Sequence, residues 1–261
     1  MNSEHDPDEI KPMLATCRNI GMQAPIRWLA LGWQDCKNAP KHTAIYGLFV
    51  VLISYFVFSI AWYFNSITLA IGLLSAFIFV GPVLCIGLYS IARQLDKKMP
   101  INFRASISHG MKPYGDLMIF VIVMMVISLV WARSASMIHV FFPVNNNGSF
   151  TDLFIFLGIG SFIGSIFAMI IFSISVFSLP MIMDKQTDMI TACISSINAV
   201  LRNKRAMLFW AFLVVSLTGI GIMTAFLGFL VIIPWLGYST WHGYTQTLDA
   251  SAWEDRIEEF S

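Results

Sequence analysis

The chain has 261 residues, 57% of them hydrophobic and only 12% charged, with a net charge of +1. That charged share is about half of what a soluble domain carries. A near-neutral balance with no basic patch interleaved with aromatics excludes a nucleic-acid binder. Cys17, Cys36, Cys85 and Cys193 show no CxxC and no paired spacing, so neither a disulfide framework nor a zinc site is expected.

Residues 1–24 form a polar tail that begins "MNSEHDPDEIKP". It lacks the basic start and immediate apolar core of a cleavable leader, so none is expected. Next comes a short amphipathic stretch in which Ile26, Leu29, Ala30 and Trp33 share one helical face. That spacing predicts a helix lying in a membrane interface. Phe103, Ile107 and Met111 repeat the pattern further on, and Ile190, Ile194, Ile197 and Leu201 repeat it again.

Each amphipathic stretch precedes a long apolar block, and a run of roughly 18 such residues can cross the hydrocarbon as a helix. Crossings are predicted over 43–64, 67–92, 114–139 and 152–183, with a turn at Asn65-Ser66 and a polar loop "PVNNNGS" at 143–149. The last block runs about 43 residues from Ala206, which at 1.5 Å per residue makes two crossings of some 30 Å. These are placed at 206–226 and 228–247, with Gly219, Gly221 and Gly228 as hinge positions. A single broken helix followed by a surface helix is the alternative. An acidic tail, 249–261, closes the chain. The predicted fold is all-α: a polytopic bundle of six transmembrane helices, arranged as three hairpins joined by amphipathic linkers, over 25–248.

Pro82, Pro180 and Pro234 each fall in the returning helix of a hairpin, where they are expected to kink or end it. Pro40 and Pro113 punctuate entry to the first two hairpins. The pattern reads as three repeats of surface helix, descending helix and proline-bearing ascending helix. "LGWQDCKNAP", "GPVLCIGLYSIARQLDKK", "SLPMIMDKQTDMITACISSINAVL" and "IPWLGYSTWHGY" together resemble the predicted bacterial integral membrane proteins of domain-of-unknown-function family 2189. The resemblance runs from about Ile26 to Tyr244. It implies a bacterial inner-membrane location and a six-helix core, and it carries over no catalytic residue.

No P-loop, GxSxG or HExxH occurs. No catalytic, cofactor-binding or metal-binding residue is therefore assigned, and the lipid bilayer is the expected partner, with another membrane complex as a further one. Five residues remain as functional candidates. Asp184 and Asp188 follow Pro180 at the end of a kinked helix, where a cation or solute could be held. Against that, Asp184 could cap the next helix or pair with Lys185 or Arg205. His109 and His242, like His42, sit near helix ends without ligand spacing, so interfacial solvation is expected of them rather than metal binding. Arg133, toward the far end of its crossing, is expected to snorkel to headgroups.

Gly160, Gly164 and Ala168 make a small-residue stripe that predicts close helix packing at the bundle centre. Ser173, Ser175 and Ser178 are expected to bond their own backbone. Trp62, Tyr63, Trp131, Trp235, Trp241 and Tyr244 read as interfacial anchors. Three classes of function follow from this inventory: a scaffold, assembly or modulatory protein of the membrane; a small-solute transporter; and an interfacial enzyme.

Lysine and arginine orient the chain. Fifteen of the sixteen fall before 43, within 93–112, within 185–205 or in the tail, leaving Arg133 alone on the other side. Both termini are thus expected in the cytoplasm. Alkaline phosphatase fused after Gly148 should be active and fused after Ser261 inactive; activity at Ser261 would leave five crossings.

Overall fold

In lipid a backbone must satisfy its own hydrogen bonds, so long apolar runs become helices. The computed structural model describes residues 12–65, 81, 84–99, 114–141 and 150–256, with the side chains of 138–141 and 150–153 outside that description. Pro82, Pro113, His109, the stretch carrying Phe103, Ile107 and Met111, most of the predicted crossing at 67–92 and the loop 143–149 lie outside the described residues. The elements are β1 (Thr16–Cys17), α1 (Ala24–Asn38), α2 (Pro40–Tyr63), α3 (Ile86–Asp96), α4 (Tyr114–Phe141), α5 (Phe150–Ser175), α6 (Ser178–Asp184), α7 (Met189–Arg202), α8 (Lys204–Met223), α9 (Phe229–Thr247) and β2 (Leu248–Asp249). β1 and β2 pair antiparallel, Thr16 opposite Asp249, a two-residue ribbon in an otherwise helical fold.

Four described segments are long and apolar enough to cross a membrane: Pro40–Tyr63, Tyr114–Met137, Phe154–Asp184 and Lys204–Met223. α9 is not among them. Its first turns are aliphatic, but from Gly237 on it carries Tyr238, Ser239, Thr240, His242 and Gln246. It is instead packed on several sides, by α1, α2, α3, α6 and α8. Trp28 of α1 fills the space beside it, edge-on to Phe177 and Trp210 at centroid distances of 6.2 and 5.6 Å.

Two close approaches make this packing possible. Pro234 inside α9 has no N–H to give the carbonyl of Leu230, four residues back. That carbonyl faces Gly47 of α2, where an added Cβ would lie 1.9 Å from the oxygen. On α1, a Cβ at Gly32 would lie 2.2 Å from Ser239 Oγ. Glycine at these positions lets α2 and α1 touch the α9 backbone. The α8–α9 turn, 224–228, ends on Gly228, one of the expected hinge or turn positions, and uses left-handed backbone at Ala225 (φ 52°) and Phe226 (φ 67°).

The amphipathic helices α1 and α7 face the opposite way from soluble ones. α1 buries Pro25, Trp28, Gly32, Asp35 and Cys36 and leaves Ile26 and Trp33 exposed. α7 buries Ala192, Ser195, Ser196 and Ala199 and leaves Ile190, Ile194 and Leu201 exposed. The inner faces mix small, polar and apolar residues, including Trp28, Met189 and Val200, while several large aliphatic side chains remain exposed on the outer faces.

Several expectations are corrected. The segment predicted to cross over 152–183 is long and apolar enough to do so over Phe154–Asp184, and its expected break falls at Val176–Phe177, one turn before Pro180. A proline cannot bond the carbonyl four residues earlier, so the break falls upstream of it. Ser196 of α7 closes the gap: its hydroxyl accepts the Phe177 N–H at 3.1 Å and donates to the Ser173 carbonyl at 2.8 Å. Ser173 and Ser178 donate to the carbonyls of Met169 and Ile174, as expected of membrane serines.

Trp241 and Tyr244 are not interfacial anchors but core residues, 1% and 2% exposed, because α9 is enclosed. Trp235 is half-buried and donates to the Leu29 carbonyl at 2.7 Å. Trp62 and Tyr63, at the end of α2, are exposed as anchors should be. The small-residue stripe on α5 is peripheral rather than central. Among the described residues only Gly164 of the stripe meets another helix, with Trp131 of α4 3.2 Å from its added Cβ; nothing described lies within 4 Å of an added Cβ at Gly160, and Ala168 is exposed. α4 and α5 pack mainly on each other and on α7.

The contact at Gly47 yields a test. Gly47→Val should force α2 off α9 and lower stability in detergent by about 1–3 kcal/mol, the usual cost of overpacking. Gly219→Ala, where an added Cβ meets nothing within 4 Å, should leave the melting temperature unchanged.

Candidate functional site

The buried charges collect at one end of the core. α3 ends an apolar stretch with Arg93 on its packed face, α6 ends with Asp184, and α9 brings Tyr244 between them. Arg93 is 3% exposed and Asp184 8%. The Arg93 guanidinium donates through Nε to Asp184 Oδ1 at 2.9 Å, and the Tyr244 hydroxyl donates to Oδ2 at 3.0 Å. Both carboxylate oxygens are thus occupied, which is the condition for a buried ion pair to persist in a low dielectric.

The C-terminal segment straps this pair from outside. Arg93 Nη2 donates to the Arg256 carbonyl at 2.9 Å, and the Arg256 N–H donates to the Asp184 carbonyl at 2.9 Å. Gln186 N–H meets the Glu254 carbonyl, and Lys185 and Asp255 form an antiparallel bridge. The Asp255 carboxylate accepts from Lys185 at 2.5 Å and Lys97 at 2.6 Å. Hydrogen bonds from Lys185 and then Lys97 hold its pKa down at about 2. A carboxyl held low in the fold stabilises above its unfolded value, about 4. The clamp is therefore complete at neutral pH and lost as pH falls toward 2.

A second pair sits on another face of α9. His242 Nε2 lies 2.7 Å from Asp35 Oδ2 of α1, an imidazole N–H on a carboxylate, with the side chains 14% and 12% exposed. Beside it the Cys36 thiol is pushed up to about 12, chiefly by burial and then by the Asp35 charge. That makes it an unreactive thiol at neutral pH.

Of the sequence candidates, Asp184 and His242 both reach partners supplied by distant elements, while Pro180 lies inside α6 two residues into the helix. Asp184 pairs with Arg93 and Tyr244, not with Lys185 or Arg205. The cap of α7 is Asp188, whose carboxylate accepts the Thr191 N–H at 2.9 Å. His42 is half-buried at the start of α2, and Arg133 is exposed on α4. Among the described residues no three His, Cys, Asp or Glu side chains are grouped to hold a metal.

Sequence reasoning missed Arg93 and Asp35 as partners. A signal existed for both. Arg93 interrupts "IGLYSIARQL", a run otherwise without charge, and Asp35 shares with Trp28 and Gly32 the face of α1 opposite its aliphatic one.

The comparisons with known proteins agree with this membrane architecture. Residues 69–184 match the model of the family described as "Predicted integral membrane protein (DUF2189)". That span includes α4, α5, α6 and Asp184, and it ends where the chain turns into α7. Neither the curated proteins nor the solved structures provide a match.

The Arg93–Asp184 pair makes a separable prediction. Arg93→Met leaves Asp184 buried without its cation and should cost about 3–5 kcal/mol, while Arg93→Met with Asp184→Leu should recover most of that loss. Melting temperatures of the three proteins in one detergent decide it; a double variant no better than the single would show that the pair is not one unit.

Proposed function

We propose that this chain is a non-catalytic membrane protein that holds, assembles or modulates another membrane complex. The observation that carries the reading is that its buried charges are spent on each other. Arg93, Asp184 and Tyr244 satisfy one another under the C-terminal strap, and Asp35 meets His242. A transporter needs such groups open to a solute or a coupling ion. The break at 176–177, which could have offered free backbone groups to a solute, has its Phe177 N–H and Ser173 carbonyl engaged by Ser196. A small-solute permease is thereby the less favoured second reading.

An open, largely apolar groove of about 480 Å³ runs along α5 to α7, lined by Phe162, Ile166, Met169, Ile170 and Ile197. It suits contact with lipid or another transmembrane helix better than passage of a polar solute. The proposal includes six crossings as three hairpins, in a bacterial inner membrane, with both ends in the cytoplasm. The β1–β2 ribbon supports an even number, since it brings the two ends of the helical region together on one side. α9 then returns as the sixth, its polar half shielded by protein rather than lipid.

Affinity purification from native membranes after mild crosslinking, read by mass spectrometry, should recover a membrane complex in stoichiometric amount. Recovery of the chain alone, together with substrate-dependent flux in proteoliposomes, would establish the transport reading instead.

A further inference from the structure

The elbow where α7 meets α8 joins three features that point to one kind of ligand. The first is the outward aliphatic face of α7, with Ile190 66% and Leu201 57% exposed. A helix that keeps isoleucine and leucine exposed opposite a packed face of serine, alanine, methionine and valine suits the boundary of hydrocarbon and headgroups. The elbow at its end therefore sits at headgroup level.

The second is charge. Arg202 ends α7, and Lys204 and Arg205 open α8, all three exposed. The first turn of α8 holds no acidic residue. Two cations at the positive end of a twenty-residue helix repel its dipole, a cost that a nearby anion removes. No ion pair to Arg202, Lys204 or Arg205 exists among the described residues; the carboxylate nearby, Asp249, is 3.1 Å from Arg18.

The third is shape. A cleft of about 230 Å³ is lined by Cys17, Arg18, Asn19 and Arg202, so two guanidinium groups border one hollow. Asn203, next to Arg202, tethers the lining segment, accepting the Ile20 N–H at 2.9 Å and donating to Cys17 Sγ and the Arg18 carbonyl. The cleft is thus built by a segment tied down from both sides, next to the membrane-facing helix.

We propose that this elbow binds the headgroup of an anionic phospholipid, with the phosphate in the cleft bordered by Arg18 and Arg202, Lys204 and Arg205 beside it, and the acyl chains along the aliphatic face of α7. Guanidinium groups suit a phosphate because they can donate two parallel hydrogen bonds to it. The adjoining aliphatic face selects a lipid over a free anion, because only a lipid presents phosphate and hydrocarbon at this spacing. This site is separate from the partner surface proposed above and does not depend on it.

The test uses the full chain in nanodiscs of phosphatidylcholine with and without phosphatidylglycerol. Phosphatidylglycerol should raise the melting temperature, and Arg202→Gln with Lys204→Gln and Arg205→Gln should remove more than half of that rise without changing the value in pure phosphatidylcholine. If the triple variant does not fold, Arg202→Gln alone should lessen the rise and Arg202→Lys should keep more of it. Lys41→Gln, exposed on another helix, should leave the rise intact. An equal rise in wild type and variant, an equal loss from Lys41→Gln, or the same rise from inorganic phosphate in phosphatidylcholine discs would overturn the site.

Discussion

α9 has to be hidden, and the rest of the molecule is arranged to hide it. Its second half carries tyrosine, serine, threonine, histidine and glutamine, each of which would cost several kcal/mol unpaired in lipid. Protein covers it instead, and that protein supplies partners. Thr43 lies 3.4 Å from the Tyr238 hydroxyl, Asp35 meets His242, Asp184 accepts from Tyr244, and Gln246 accepts from the Trp28 indole at 3.2 Å. Gly32 and Gly47 let α1 and α2 come near enough for these contacts to form. The prolines at the starts of α1 and α2 fit the same scheme, since a missing N–H costs nothing in a first turn.

The polar contacts are also what join the distant parts of the chain. Arg93 and Asp184 are separated by 91 positions and belong to different helices, and the C-terminal segment crosses over both. At the opposite terminus, Ala15 N–H bonds Ser195 Oγ at 2.8 Å, Arg18 N–H bonds the Thr247 carbonyl, and Ile20 N–H bonds Asn203. Both flanking segments are therefore structural parts of the helical body. A buried pair of this kind is worth less as net stability than as specification, because each partner alone is far worse than neither.

The helices were legible in the sequence because they rest on local composition, although only four described segments are long and apolar enough to cross a membrane. The runs at 43–64 and 114–139 and the pair at 206–226 and 228–247 appear as helices within a few residues of the expected limits. The amphipathic stretches before α2 and α8 were legible for the same reason, since a face is a matter of spacing. Partnership was not. The aromatic residues Trp241 and Tyr244 look identical in sequence whether they anchor at headgroups or fill a core; only the enclosure of α9 decides. The break before Pro180 fell a turn early because its closure depends on Ser196, a residue of the next element. The carboxylate of Asp184 was visible as a candidate, but its cation comes from a helix that no local pattern connects to it. The small-residue stripe failed as a guide to centrality because glycine permits close contact without supplying a neighbour.

α7 carries the mechanical consequence of this arrangement. Its inner face closes the α5–α6 break through Ser196, receives the N-terminal segment through Ser195, and begins against α4, where Asp116 accepts the Met189 N–H at 3.2 Å. The α4–α5 pair reaches the α9 core chiefly through it and through α6, whose Asp184 carries the buried ion pair. The outer face of α7 meanwhile leaves Ile190, Ile194 and Leu201 exposed. Small hydroxyl side chains suit the inner role because they satisfy interrupted backbone without holding helices apart. Aliphatic side chains suit the outer role because they are solvated by acyl chains. A single helix thus joins the α4–α5 pair to the rest of the core, and it does so through hydrogen bonds from its inner face as well as through apolar contact.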